Sequence, residues 1–446
     1  MRIVIAGAGG VGFHLANLLS REKHDIVLID PDESKLEAPG SRLDLLTYNA
    51  SATSIQTLKD AGAGTADLVI AVTNDASRNL TICMLAHTLG AKKTVARIDN
   101  AEYLNSRYQS YFKGMGIDSL IYPERLVAQE IADSMKMSWV RQSWEFHDGA
   151  LELIGVKVRH NALILNQKLK DLGINDLPFH VVAIKRRGRT IIPRGNDMIL
   201  AGDLVYFMTM QKNLMQIHDL CGKEGYEEIK NITIIGGGEV AVQAAEVIPD
   251  HMAVKIIEID EERAKQLTGL VNDRIMVIHG DGRDMSLLVE EDIKKTQAFV
   301  ALTGNAETNI LACLAAKRMG VRKTVAMVSN FDYVDMAESL DIGTIINKKT
   351  VAAGHIYQMM LDADVYNLKR LTVSSADVVE FIAGPKARAT NKEINDLDLP
   401  EGATIGGLVR NGEGILASGS TRIEEGDSVV VFCVDMDVKK LERFFN

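Results

Sequence analysis

The chain has 446 residues, more than one ordinary core accommodates, so two to four domains of about 100–200 residues are expected. Its composition, 46% hydrophobic and 25% charged, is that of a globular protein, and no apolar run approaches the roughly 18–20 residues that span a bilayer. A net charge of −10 argues against broad nucleic-acid binding, which rests on cation excess.

From its first residues, Met-Arg-Ile-Val-Ile, the chain enters a strand at once, and no signal peptide is expected there. Strand-like runs stand near 2–6, 26–30, 43–48, 67–72, 93–98 and 118–121, with helical patterns between them. In "DASRNLTICMLAHTLG", Leu80, Met84 and His87, or Leu85 and Leu89, share a helical face. Strands separated by helices of this length imply a parallel sheet with right-handed crossovers. Residues 1–140 therefore read as one α/β domain. Residues 141–227 show short strands, glycine turns and one short helix, an α+β pattern.

Then the chain repeats itself. "ADLVIAVTNDASRNLTICMLAHTLGAKKTVARI" returns as "QAFVALTGNAETNILACLAAKRMGVRKTVAMV" at a constant offset: Thr73 to Thr303, Asn79 to Asn309, Cys83 to Cys313, Gly90 to Gly320. The small module at 189–208 returns at 414–433, with Gly202 and Asp203 matching Gly426 and Asp427. The chain is a tandem duplication, with a second α/β domain over 228–366 and a second α+β domain over 367–446. The expected fold is thus two Rossmann-like, doubly wound parallel sheets, each followed by a small α+β domain.

The glycine turn "GAGGVG" follows a strand and opens a helix. Gly7 permits the tight turn, Gly9 lets a pyrophosphate approach the backbone, and Gly12 allows close helix–strand packing. Ala8, Gly10 and Val11 complete the turn, whose free N–H groups suit phosphates. Asp30, at an exposed strand end 18 residues beyond Gly12, is placed for ribose hydroxyls and against a 2′-phosphate. NAD is therefore preferred to NADP; ATP and ADP carry the same ribose and stay open. The second turn comprises Gly236, Gly237, Gly238, Glu239 and Val240, with Ala241 at the third glycine position and Glu258 as the ribose acid. Thr73, Asn74, Arg97, Asp281 and Thr303 stand at strand ends, where open α/β sheets bind ligands. Arg97 would meet a phosphate, and Asp281 an adenine or ribose; helix capping by Asn74 and a surface ion pair for Arg97 are the plainer readings.

Four cysteines (Cys83, Cys221, Cys313, Cys433) lie scattered without a CxxC pair, which suggests neither zinc nor disulfides and fits a reducing cytoplasm. His147, His160, His180 and His218 are isolated, and no HExxH, GxSxG or P-loop GK[ST] occurs. "KRRGR" (185–189) reads as a solvated hairpin tip. No metal site or catalytic residue is expected, and the nucleotide is read as bound, not consumed.

The order of modules, with "GAGGVG", Asp30, "AVTNDASRN", "KKTVARI", "LAAKRMGVRKTV", "AGDLVYFM" and "EEGDSVVVFC", resembles the TrkA family of potassium-uptake regulators, built from RCK or KTN domains. The resemblance covers essentially the whole chain. It implies a cytoplasmic ring, peripheral on the inner face of the membrane, that binds NAD(H) and adenine nucleotides and gates a TrkH/TrkG-like potassium channel or transporter. A homotetramer is expected. Two departures stand out: Ala50-Ser51 where Gly280-Asp281 keeps the family pattern, and Met327 where the first copy has Arg97. The alternatives are an NAD-dependent oxidoreductase and a regulator of another cation channel or antiporter.

Overall fold

The computed structural model describes residues 1–20, 24–147, 149–172, 178–360, 365–370 (backbone alone), 376–434 and 438–445. Four sheets account for the strands. The first holds β1 (Arg2–Ala6), β2 (Asp25–Asp30), β3 (Leu46–Asn49), β4 (Leu68–Ala71), β5 (Thr94–Arg97) and β6 (Ser119–Ile121). Its order, β3-β2-β1-β4-β5-β6, is all parallel and reverses at β1/β4, which is the doubly wound topology with its ligand crevice at the switch point. Val, Ile, Leu and Ala fill its central strands because helices cover both faces.

The second sheet is antiparallel: β7 (Gln142–Phe146), β8 (Leu151–Lys157), β9 (Phe179–Arg186), β10 (Arg189–Ile191) and β11 (Leu204–Thr209). The third repeats the first: β12 (Asn231–Ile235), β13 (Ala253–Glu258), β14 (Ile275–His279), β15 (Ala298–Ala301), β16 (Lys323–Met327) and β17 (Thr344–Ile346), in order β14-β13-β12-β15-β16-β17. The fourth repeats the second: β18 (Val365–Arg370), β19 (Ala376–Ile382), β20 (Ala403–Arg410), β21 (Glu413–Leu416) and β22 (Ser428–Val434). The two antiparallel sheets share a core in which Leu153, Val182, Tyr206 and Met208 meet Val378, Val430 and Phe432.

The chain forms two compact units, Met1–Val127 with Lys348–Leu361, and Ala128–Asn347 with Asp362–Asn446. The helix Lys348–Met360 follows β17 of the third sheet in sequence, yet it packs against the helix Gly10–Leu19 in the first unit. The expected boundary at 366/367 falls inside β18, which pairs with β19 of the last sheet.

Two local expectations are corrected. The helix Ala76–Leu89 buries Ala76, Asn79, Ile82, Cys83 and Ala86, while Met84 is 40% exposed. Ile82 and Cys83 bury fully with the small residues of this face, while Leu80, Leu85 and Leu89 pack against the same core half-buried. "KRRGR" is a hairpin whose tip is Arg187-Gly188, but Lys185 is buried and ion-pairs with Glu338, and Arg186 grips Asp203 in a two-pronged contact. Arg410 and Asp427 repeat that contact in the second copy.

Candidate functional site

At the first turn, Gly7 has φ +108°, a conformation that only glycine adopts without strain. A Cβ there would come within 2.9 Å of the Thr73 nitrogen, and its own N–H donates to the Ile29 carbonyl. A Cβ on Gly12 would collide with the Gly7 carbonyl oxygen, whereas one on Gly9 would meet nothing within 4 Å. The open side of Gly9 is the N-cap of the helix Gly10–Leu19, so unpaired N–H groups face outward.

Asp30 is not at an exposed strand end as expected: it is 6% exposed. Its carboxylate accepts from the Ala8 N–H at 2.8 Å and from the Asp32 N–H at 2.9 Å. The acid thus clamps the glycine turn to β2, and its remaining lone pairs are what a ribose would find. In the second copy Glu258 does the same, accepting from Gly237 N–H at 2.5 Å and Asp260 N–H at 2.9 Å. Gly236 has φ +91° and sits against Thr303.

Thr73 and Thr303 are held by residues that sequence reasoning left without a role. Asn79 is fully buried; its Oδ1 accepts from the Thr73 N–H and hydroxyl, and its Nδ2 donates to the carbonyls of Thr73 and Arg97. Asn309 makes the same four bonds to Thr303 and Met327. These two amides tie the ends of the fourth and fifth strands together across the crevice. Their repetition at one offset was the available signal. Asn74 is not the helix cap: Asp75 is, accepting from Arg78 N–H, as Asn305 accepts from Thr308 N–H. Asn74 accepts instead from Arg97, at 3.4 Å.

The second turn opens on a cavity of about 550 Å³ lined by Gly236, Gly238, Glu258, Asp281 and Thr303. Met327 stands here in the place of Arg97, so the phosphate contact expected of Arg97 has no counterpart on the fifth strand. Two arginines that sequence reasoning did not single out, Arg263 and Arg283, line the same cavity. Arg263 Nε donates to the Gly237 carbonyl at 2.9 Å. Arg283 holds Asp281 through Nε at 2.9 Å and Nη2 at 2.7 Å, and these bonds keep the Asp281 carboxyl below its ordinary pKa. Asp281 therefore faces the cavity already paired.

The described residues lining this cavity include no histidine, cysteine, lysine or tyrosine. The four cysteines are buried and form no disulfide, and desolvation pushes the thiols of Cys83, Cys221 and Cys313 up to about 12, far from the reactive range. Among the described residues, no group of three or more His, Cys, Asp or Glu is arranged to hold a metal, and no helix is long and apolar enough to cross a membrane.

The TrkA-N domain family matches residues 3–123 and 232–348, and the TrkA-C domain family matches 153–222 and 378–446. The chain is 34% identical to the Trk system potassium uptake protein TrkA of Halomonas elongata, over 100% of this chain and 98% of that one. It is 32% identical to the Trk system potassium uptake protein TrkA homolog of Archaeoglobus fulgidus, over the whole of both. Among solved structures, the GsuK channel bound to NAD superposes with a TM-score of 0.60 at 16% identity, covering 100% of this chain and 78% of that one, a likeness of fold.

Proposed function

The chain belongs to the TrkA family of Trk-system potassium uptake proteins, and from that premise we propose that it is a non-enzymatic, nucleotide-sensing subunit that gates a membrane potassium channel or transporter. The observation that carries this reading is the duplicated turn: two glycine loops, each clamped by an acid from the neighbouring strand, on two sheets of the same topology. Such a turn holds a dinucleotide or nucleoside phosphate at a helix N-terminus. In the proposal the first site comprises Gly7 to Val11, Asp30, Thr73, Asn74 and Arg97, and the second Gly236 to Val240, Glu258, Asp281 and Thr303. NAD(H) is the ligand class, with ATP or ADP as its competitor.

A hydride-transfer enzyme would need an acid/base group beside the nicotinamide; in the second cavity the two carboxylates are committed, Glu258 to two backbone N–H groups and Asp281 to Arg283, and the described lining has no histidine or lysine. Binding without chemistry does work only through shape: ligands that favour different arrangements of the chain shift a gate by their difference in affinity. The chain acts on the cytoplasmic face as a homotetramer joined to a TrkH/TrkG-like partner. The test is titration with NADH, NAD and ATP while nicotinamide absorbance is followed. Saturable binding without NADH oxidation is expected; turnover by the protein alone would overturn the reading.

A further inference from the structure

Within the second compact unit, the second parallel sheet meets the first antiparallel sheet, and charge gathers at that junction. Asp341 stands three residues before β17, as Gly116 stands three before β6, and both have positive φ, +53° and +79°. Glycine takes that conformation freely and other residues seldom do, so a carboxylate is kept here against local preference. It takes three cations: Arg141 at 2.6 Å, Arg159 at 2.9 Å and Lys317 at 3.0 Å. Glu338, in the helix Asp332–Ser339, pairs with the buried Lys185.

Four cations are thus spent on two carboxylates, yet two more stand beside them. Lys157 ends β8, and in register only Leu204 of β11 separates it from Lys185 of β9, so both ammonium groups share one face of the sheet. Asp341 and Glu338 attract Lys157, but burial outweighs them and pulls its ammonium below the ordinary lysine pKa. Among the described residues nothing accepts a hydrogen bond from it. Lys223 is 1% exposed and has the Tyr226 ring 5.1 Å away; burial, with Arg159 and Arg141 adding to it, pushes its ammonium down to about 6. Buried cations in excess of their carboxylates are costly unless an anion joins them. Beside Lys157 lies a cavity of about 30 Å³, lined also by Arg141, Gln142, Thr344 and the two carboxylates. That is room for about one or two waters or one small ion, and too little for a phosphate group.

We propose that this cavity is a halide site, in which Lys157 and the Arg141 guanidinium hold one chloride ion. Glu338 and Asp341 line the same space, but each is already neutralised by cations on its far side, so the site as a whole stays positive. The anion gives Lys157 the acceptor it lacks and forms charge-assisted bonds that replace its hydration. It fastens the Asp341 turn to the end of β8. The site is independent of the nucleotide reading, since neither glycine turn contributes to it.

The experiment has two arms on the full chain. Crystals grown in sodium bromide are expected to show an anomalous bromine peak in the cavity beside Lys157 Nζ; water alone at that place would overturn the proposal. In solution, the chloride-35 line width is titrated on wild type, Lys157→Met and, as an exposed control, Lys294→Met. Wild type and Lys294→Met should broaden the line saturably, and Lys157→Met should weaken that binding about tenfold or more. Equal broadening by Lys157→Met would overturn the assignment, as would a bromide peak without saturable chloride binding, which means binding at crystal concentration only. Should Lys157→Met fail to fold, the wild-type titration and the bromide map still decide the matter.

Discussion

Replacing Lys323 by methionine should stabilise the protein at neutral pH and lose that advantage in alkali. Lys323 opens β16 at 2% exposure, and its Nζ donates to the Val140 carbonyl at 2.6 Å. Burial, with the Arg141 guanidinium adding to it, pushes the ammonium down to about 7. An unfolded lysine titrates near ~10.4, so between about pH 7 and ~10.4 the unfolded chain holds a proton that the folded chain lacks. Stability therefore rises with pH across that window, and the lysine acts as a penalty below it. At roughly 1.4 kcal/mol per pH unit the penalty is at most about 4–5 kcal/mol at pH 7. Methionine removes it but leaves the Val140 carbonyl without its donor, at about 1–2 kcal/mol. The net gain should be about 2–3 kcal/mol at pH 7 and should change sign near about pH 9. Urea midpoints followed by tryptophan fluorescence suit the purpose, because the only two tryptophans, Trp139 and Trp144, flank this contact in sequence. Identical pH slopes for wild type and Lys323→Met would refute the reasoning.

Asp30→Ala should weaken NADH binding by about 1.5–3 kcal/mol and also lower stability by about 1–3 kcal/mol, because two backbone N–H groups lose their acceptor; calorimetry and melting read the two effects, and a mutant unchanged in both removes the clamp. Asp341 takes Arg141 at 2.6 Å, Arg159 at 2.9 Å and Lys317 at 3.0 Å, which hold its carboxyl far below the ordinary carboxylate range. Asp341→Asn should therefore lose about 2–4 kcal/mol at pH 7, with solvent access keeping the figure below that of a fully buried pair. The wild-type advantage is complete above about pH 3.9 and shrinks as acid protonates the folded carboxylate; a constant gap down to strong acid would contradict this. Gly12→Ala should weaken first-site binding on the order of tenfold, since its methyl meets the Gly7 carbonyl, while Ala241→Gly changes second-site binding little. Ligand titration of the two variants decides it, and a silent Gly12→Ala would show that the turn relaxes freely.

The architecture was legible because duplication prints the same pattern twice. One β-branched run followed by glycines is ambiguous, whereas two in register with their acids, threonines and asparagines are not. What stayed hidden depends on distance along the chain. Lys323 and Lys348 meet Val140 and Glu124, and Lys349 lies beside Gly10; no periodicity relates residues that far apart. Asp30 was placed correctly on its strand but misjudged in exposure, since the Ala8 N–H that buries it belongs to another element. The helix Ala76–Leu89 misled for a related reason: Leu and Met mark an apolar face, but close approach to a sheet selects Ala and Cys. Arg263 and Arg283 follow the second and third strands of their sheet, one in the first turn of the helix Glu261–Leu270 and one in a loop, and nothing at the end of the fifth strand, where Arg97 stands in the first copy, points to them.

Those arginines change what the asymmetry between the halves means. The two turns differ less in how much positive charge surrounds them than in where it stands. In the first, Lys349 lies at the glycine turn, where a pyrophosphate would sit, and Arg97 stands at the end of β5. In the second, Glu239 occupies that point of the turn, Arg263 donates to the Gly237 carbonyl of the same turn, and Arg283 holds Asp281. Charge near the turn favours ligands by their phosphate content. The Arg283 guanidinium instead offsets the Asp281 carboxylate, and it must give up Asp281 before that acid can meet a base. If both turns hold nucleotides as proposed, the two sites would differ at one point of the turn, where the first has Gly10 and the second Glu239.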